Sequence, residues 1–462
     1  MFLWQVSNPV SINNSNNDKD KDDTNQIHLF LQFFVHKDPV RQKEFLFCLH
    51  QHIQNPAVSK IHLLGERIYT EKELGMKNTE KIIQTVIGRR LQFQDIFTYI
   101  RQNSIPGYHI LLNSDICFDS SALDNLRKSD MSYQKKMMSL LRYEYNASDP
   151  SKSQLYGPSS DSQDTWILHS NFPVPEFAEK AFKFEFGKPG CDNKLIYLFS
   201  ILGYEVVNDP LFIKTLHVHA SEVRDYTIKD RVPRPYMLSF PANIDPRKDK
   251  ILNNYHQITR GFQDMKFDDN DVLRKYILEN FENNTQFAVT HITGIFQKDC
   301  GMCICSHNNE SYQRLIGQWQ NNPSIRIFSD NVLEIFHSIF TTPWTQALRG
   351  KRILWISSTD SQIVQKQWEK RNSIYADIDL FPECKIVVLL NNTSLDSIQN
   401  EYDVALVSGP NSNQICESIY KKGKSVIYVG DVLPMYLGIL DKRWLTERPD
   451  VIRMYLNQNW AR

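Results

Sequence analysis

GYHILLNSDICFD, residues 107–119, passes from an apolar run into Asn113-Ser114-Asp115, with a further acid at Asp119. A carboxylate at the tip of a buried strand has two readings. It is a turn residue, since Asn, Ser and Asp end strands well, or it holds a divalent metal over a phosphate. Three later patches bear on the choice. SDSQDTWIL (160–168) places Asp164 ahead of an apolar strand containing Trp166. FGKPGCDNKLIYLFSILGYEVVNDP (186–210) delivers Asp192 and Asn193 from a Gly/Pro turn to the start of an apolar helix. IKTLHVHASEVRDY (213–226) carries His217 and His219 two apart, then Arg224.

Together these are the parts needed to move a sugar from a nucleoside diphosphate. A leaving diphosphate calls for a hard cation with oxygen and some nitrogen ligands, Mn2+ or Mg2+. Asp115 is the candidate carboxylate ligand. Residues at i and i+2 of a strand share a face, so His217 and His219 can both look into one cleft, with only one of them expected as a ligand. Arg224 offers phosphate oxygens a bidentate guanidinium. A separate carboxylate must take the proton of the attacking acceptor hydroxyl. Asp192 is the expected base, because a helix N-terminus after a Gly turn fixes it and favours its ionised form. Asp164 competes for that role, or orients the acceptor. Taken singly, each feature has a plainer reading: a strand-end turn, an N-cap, strand histidines satisfied by neighbours, a loop acid bonded to backbone. Trp166 reads as core.

The elements that must hold these residues are legible in the pattern. IHLFLQFFVH from Ile27 is a strand candidate, and Val40 to Ile53 reads as a helix with Phe45, Leu46, Leu49 and Ile53 on one face. KIHLLG (60–65) is a short strand. Residues 81–100 give strand and then helix, leading into the strand 108–112. Strand–helix alternation with short connections predicts a mostly parallel sheet covered by helices, whose ligands bind beyond the carboxyl ends of the strands. After Pro241 the sequence turns polar, with a short helix near 271–281. A second α/β rhythm follows in KRILWISS (351–358), KIVVLL (385–390), DVALVSG (403–409) and SVIYVG (425–430).

The 462 residues, 41% hydrophobic and 12% aromatic, suffice for two domains with real cores. Lys plus Arg equals Asp plus Glu at 53 each, which gives no support for nucleic acid as a partner. No apolar run approaches the roughly 18 residues of a transmembrane span, and MFLWQVSNPV is a poor signal peptide. Among the eight cysteines, Cys48, Cys117, Cys191, Cys384 and Cys416 read as reduced core thiols. Cys300, Cys303, Cys305 and His307 lie in one run, whereas structural zinc draws ligands from two separated knuckles. The expected location is cytoplasmic.

The order of acid at a strand tip, QDTW, GCDN and H-x-H-x-S-x-x-R-x-Y resembles the metal-dependent glycosyltransferases of the GT-A type. The form is that found in large DNA viruses of algae and amoebae and in some bacteria. The resemblance covers about residues 26–240. It implies a UDP-sugar donor, a glycan or glycoprotein acceptor, Mn2+ or Mg2+, and a host-cytoplasmic setting. In that family the strand-end motif is usually Asp-x-Asp, and its second acid holds the metal while the first leans towards the ribose. Here Asn113 replaces the first acid and keeps the capacity to bond a ribose hydroxyl. The donor-binding set is then Asn113, Asp115, Arg224 and Arg90, the metal set Asp115, His217 and His219, and inversion by single displacement the expected course.

Residues 402–444 resemble a second glycosyltransferase-like domain that follows the first in such proteins. The strand DVALVSG, the turn GPNSN and a helix capped by Ser412 or Asn413 form a phosphate cradle on paper. The acidic pair expected near the start of such a domain is replaced by Asp299 and Glu310 at a different spacing. This half reads either as a degenerate transferase or as an acceptor-binding module. The expected organisation is a disordered tail (1–25), a GT-A-like mixed, mostly parallel α/β domain (26–241), linker and helix (242–285) and a second, Rossmann-like α/β domain (286–462). Two rivals remain. A sugar nucleotidyltransferase would open with a Gly-rich loop where this chain has FFVHKDPVRQK. A non-catalytic carbohydrate-binding or scaffold protein would need no nucleotide–metal pair.

Overall fold

A computed structural model describes residues 24–242, 270–292, 325–329 and 342–461, apart from 78–79, 158, 160, 222, 224–225, 234–235, 238, 240, 376–379, 391–401, 410–411 and 448. Residues 1–23 of the tail, the polar stretch 243–269, the Cys300–His307 run, Asp299, Glu310 and Arg224 lie outside the described residues.

The first half is built on a seven-stranded sheet in the order β10-β6-β9-β4-β1-β2-β3. Its strands are β1 (Ile27–Leu31), β2 (Lys60–Gly65), β3 (Ile82–Val86), β4 (Tyr108–Leu112), β6 (Lys136–Leu141), β9 (Gln163–His169) and β10 (Glu205–Val207). β1 pairs in parallel with β2 and β4. Every residue of β1 and β4 is buried, His28 and His109 included, as expected of largely apolar strands covered on both faces. Side chains alternate across the sheet. Leu29, Leu31, Ile110 and Leu112 enter one core beside Leu49, while Phe30, Leu111 and Trp166 enter another beside Phe93, Leu195 and Phe199. Trp166 is core, as read, and its truncation to Ala would cost roughly 3–5 kcal/mol.

Alternation did not reveal that β9 runs antiparallel to both β4 and β6. A small second sheet, also unforeseen, has the order β5-β11-β7-β8, from β5 (Ile116–Phe118), β11 (Thr215–His217), β7 (Tyr143–Glu144) and β8 (Gln154–Leu155). These strands are two or three residues long, too short for a periodic signal.

Helix α1 (Pro39–Gln54) follows β1. Asp38 accepts a 2.8 Å hydrogen bond from the Arg41 backbone N–H, and Pro39 occupies the first turn, where its missing N–H costs nothing. The helix α2 (Cys191–Ile201) starts from Gly190, whose φ of 78° suits glycine.

The second half carries a six-stranded parallel sheet, β13-β12-β17-β16-β14-β15. The four expected strands are there: β14 (Arg352–Ser357), β15 (Lys385–Leu390), β16 (Val404–Val407) and β17 (Ser425–Tyr428). Two others, β12 (Ala288–Ile292) and β13 (Ile325–Ser329), were not read from the sequence. A C-terminal helix, α3 (Pro449–Tyr455), packs on the 3-10 turns at Glu176–Phe182 of the first half. Among the described residues no helix is long and apolar enough to cross a membrane. Cys48, Cys117, Cys191 and Cys416 are buried free thiols, and Cys384 is half-buried.

Candidate active site

Asp115 sits in the tight connection between β4 and β5 and is only 5% exposed. Its backbone carbonyl accepts from Val218 N–H at 2.8 Å, and β5 pairs antiparallel with β11, His217 opposite Ile116. The backbone therefore carries His217 to Asp115, and its Nε2 lies 3.2 Å from Asp115 Oδ2. β7 runs beside β11 with Glu144 opposite His217, which puts Glu144 Oε2 3.1 Å from His217 Nδ1. His219 lies past the end of β11, yet its ring stacks on His217 at 4.9 Å and 14°. One ligand atom from each of Asp115, His217 and His219 falls within 4.8 Å of the other two. A carboxylate oxygen and two imidazole nitrogens in that span fit a divalent transition ion better than Mg2+, which favours an oxygen shell.

Arg41, in the first turn of α1, reaches the same atoms. One of its terminal nitrogens donates to Asp115 Oδ2 and the other lies 2.6 Å from His219 Nδ1. Glu44, one turn along and 4% exposed, accepts from Arg41 at 2.6 Å. Its other oxygen accepts from the backbone N–H groups of Ala220 and Ser221 at 2.6 and 2.8 Å. Helix α1 thus fixes the segment that follows His219.

Asp164 is the second residue of β9, and because β9 is antiparallel it lies beside the carboxyl end of β4. Asn113 donates through Nδ2 to Asp164 Oδ1 at 2.6 Å, and Asn113 N–H donates to the Asp164 carbonyl at 3.2 Å. Arg142 bridges Asp164 Oδ2 at 2.5 Å and Glu144 Oε1 at 3.0 Å. One polar chain therefore runs Asn113, Asp164, Arg142, Glu144, His217, Asp115, Arg41, Glu44. Asp192, in the first turn of α2, accepts from Ser162 N–H at 2.9 Å. All these residues except Glu44 and Glu144 line one cavity of about 470 Å³, together with Arg90, Asp161, Lys188, Asn193, Tyr226 and Arg231. That volume suits a small polar ligand. Asn193, 5% exposed, keeps its Nδ2 buried without a partner among the described residues.

Charge is distributed unevenly along this wall. Burial alone would raise the Asp115 carboxyl, but His217 and Arg41 hold it far below the usual carboxylate range. Burial opposes the charge of His217, but Asp115 and Glu144 win and lift it to about 9. His219 moves the other way through burial and the nearness of Arg41 and His217. Asp192 departs from expectation. Burial first, and then the neighbouring Asp161 and Asp164, push it up to about 7. The helix N-terminus is outweighed.

Asn113, Asp115, Asp164, Asp192, His217 and His219 are thus brought to one cavity. Arg90 also lines it, but its Nε and terminal nitrogen donate to the Phe186 carbonyl at 3.2 and 3.1 Å. Arg41, Glu44, Arg142, Glu144 and Asp161 were not read from the sequence. Arg41 was discoverable, since the strand-end rule points to the first residues after β1 as strongly as to those after β4. Arg142 and Glu144 gave no signal, because RYEY alone looks like any exposed strand.

No protein-family model matches the chain, and no curated protein does. Among solved structures it is similar to GalNAc-T7 with UDP, GalNAc and Mn2+, at 12% identity and a TM-score of 0.32, over 46% of this chain and 48% of that one. It is similar to the mannosyltransferase PcManGT from Pyrobaculum calidifontis in complex with GDP-Man and Mn2+, at 11% identity and 0.27, over 44% and 58%. It is similar also to 4-diphosphocytidyl-2C-methyl-D-erythritol synthase, at 10% identity and 0.26, over 44% and 95%. The chain spans about half the length of the two transferases. Likenesses this distant assign it no activity.

Proposed function

We propose that the chain is a metal-dependent glycosyltransferase that moves a sugar from a nucleotide-sugar donor, a UDP-sugar by default, to a glycan acceptor with inversion. The observation that carries this reading is one cavity lined both by the Asp115–His217–His219 triad and by the Asp192 carboxyl in the first turn of α2. A divalent cation, Mn2+ before Mg2+ given the two imidazoles, would offset the negative charge that grows on the leaving diphosphate.

The chain's own residues supply the rest. Asp115, His217 and His219 would hold the cation, and Glu144 orients His217 through its Nδ1. Lys188 and Arg231 add positive charge to the cavity wall for phosphate oxygens. Arg224 is proposed for the same duty. Asn113, its amide nitrogen bound to Asp164, keeps its side-chain carbonyl for a ribose hydroxyl. Asp192 takes the proton from the acceptor hydroxyl. A carboxyl poised near 7 is a stronger base than an ordinary one and is still ionised above neutrality. Asp164, paired with Arg142, positions the acceptor. The second α/β half is proposed as a separate module, serving the acceptor or a lapsed transfer site.

The test is calorimetric binding of UDP with Mn2+ and with EDTA, followed by a scan of nucleotide sugars for slow metal-dependent hydrolysis. Asp115→Ala should abolish Mn2+-dependent UDP binding and leave the fold intact. Unchanged UDP affinity in that variant would sink the metal assignment.

A further inference from the structure

Arg41 holds two of the three candidate ligands with separate nitrogens, one on Asp115 Oδ2 and one on His219 Nδ1. An imidazole nitrogen facing a guanidinium turns its lone pair to that cation, and a metal would need the same lone pair. Asp115 Oδ2 is likewise shared between Arg41 and His217 Nε2. A guanidinium stays charged at any working pH. His219 Nδ1 has one lone pair and cannot serve both it and a divalent cation, and at Asp115 the cation would meet the guanidinium's positive charge at close range.

Arg41 is also tethered and close to an alternative partner. Its side chain is 14% exposed, lies over the Phe45 ring at 4.9 Å and is held by the buried Glu44. It lines the cavity in which a diphosphate would lie. The terminal nitrogen against His219 is also the one that donates to Glu44, so a turn of the guanidinium about the Glu44 pair would exchange Asp115 and His219 for the cavity.

We propose that Arg41 is the internal counter-cation of the Asp115–His217–His219 site, released from it by the incoming diphosphate. The guanidinium gives up Asp115 and His219 when phosphate oxygens offer it a bidentate partner, and those two residues then become available to the metal. Metal and nucleoside diphosphate therefore bind as a coupled pair, each tightening the other by the same factor. This rests on the metal-dependent reading above, and its test separates the two.

The experiment measures free Mn2+ by electron paramagnetic resonance on the full chain, with and without UDP, in wild type, Arg41→Ala, Arg41→Gln and Asp115→Asn. Arg41→Gln keeps the stem and a hydrogen-bond donor, and it carries the test if the alanine variant does not fold. Both Arg41 variants should bind Mn2+ alone about tenfold more tightly than wild type, and UDP should then tighten Mn2+ about tenfold less than it does in wild type. Mn2+ binding that depends on Asp115 but is unchanged or weakened in the Arg41 variants overturns the role of Arg41 and leaves the metal reading standing. Mn2+ binding that is the same in wild type and Asp115→Asn overturns the metal reading and this proposal with it.

Discussion

Asn113 donates a 2.6 Å hydrogen bond from Nδ2 to Asp164 Oδ1, joining the end of one strand to the start of its antiparallel neighbour. An acid at 113, the form usual in the family this chain resembles, would bring two carboxylates together there. Asn113→Asp should therefore destabilise the fold by roughly 1–3 kcal/mol at pH 8, the cost of losing a hydrogen bond to a charged group. The loss should shrink at pH 4.5, where one protonated carboxyl restores a donor. Thermal melts at the two pH values check this, and an equal loss at both would show that the bond carries no such weight.

Asp192 is raised to about 7, so the folded protein favours its neutral form. The charged form costs stability as pH rises from the ordinary carboxylate range through 7. Asp192→Asn should raise Tm at pH 8 and change it little at pH 4. Under the proposed function the same substitution should lower turnover by about 10²-fold or more, with donor affinity preserved. Wild-type activity should rise with pH through about 7. A variant that transfers sugar at the normal rate would move the base to Asp164.

Acid should unfold the protein through a different group of residues. His28 Nδ1 and His62 Nε2 lie 3.0 Å apart across β1 and β2, with His109 on β4 beside them, and all three are buried. Burial, aided by Lys60, lowers His28 to about 4. Burial with the neighbouring His28, His109 and Lys60 lowers His62 to about 3. Burial lowers His109 to about 4. Unfolded histidine titrates near 6.5, so the stability these neutral rings confer is complete above that pH and is lost as pH falls towards 4. Roughly 1–2 kcal/mol per histidine should be gone by pH 5. Urea midpoints at pH 7 and 5 measure it, and His62→Gln should show a smaller drop than wild type.

A fragment ending at Ala242 retains the whole cavity but bares the turns at Glu176–Phe182, against which α3 packs. It should fold, since about 215 residues exceed what one core requires. Under the proposed function it should bind UDP with Mn2+ as tightly as the full chain and melt several degrees lower. A fragment that folds but binds nothing would show that the second half completes the site.

The strands that build the sheets were readable wherever they were long and apolar, as in 27–31, 60–65, 108–112 and 352–357. Each is buried through nearly its full length, and the hydrophobic pattern records that directly. Asp115, Asp164, Asp192, His217 and His219 were readable as well, because strand ends and helix starts are marked by Gly, Asn and Asp. The direction of β9 was not, since alternation is the same in either orientation. The upward push on Asp192 was not, because it depends on burial and on Asp161 and Asp164 arriving at the start of β9. Glu44, Arg142 and Glu144 were hidden for the same reason. A charged residue on a helix or strand looks solvated until its distant partner is known.

The span of those partnerships has a consequence for how the protein is made. Arg41 and His219 meet across 178 residues of chain, and the reversed strand β9 must insert between β4 and β6 before Asp164 faces Asn113. Contacts that close such long loops form late, because the entropy of closure is spent before the contact repays it. The cavity is therefore among the last features to be completed in the first half. Under the proposed function, nucleotide binding would accordingly report on finished folding, and a nascent chain released before His219 would lack the complete cavity.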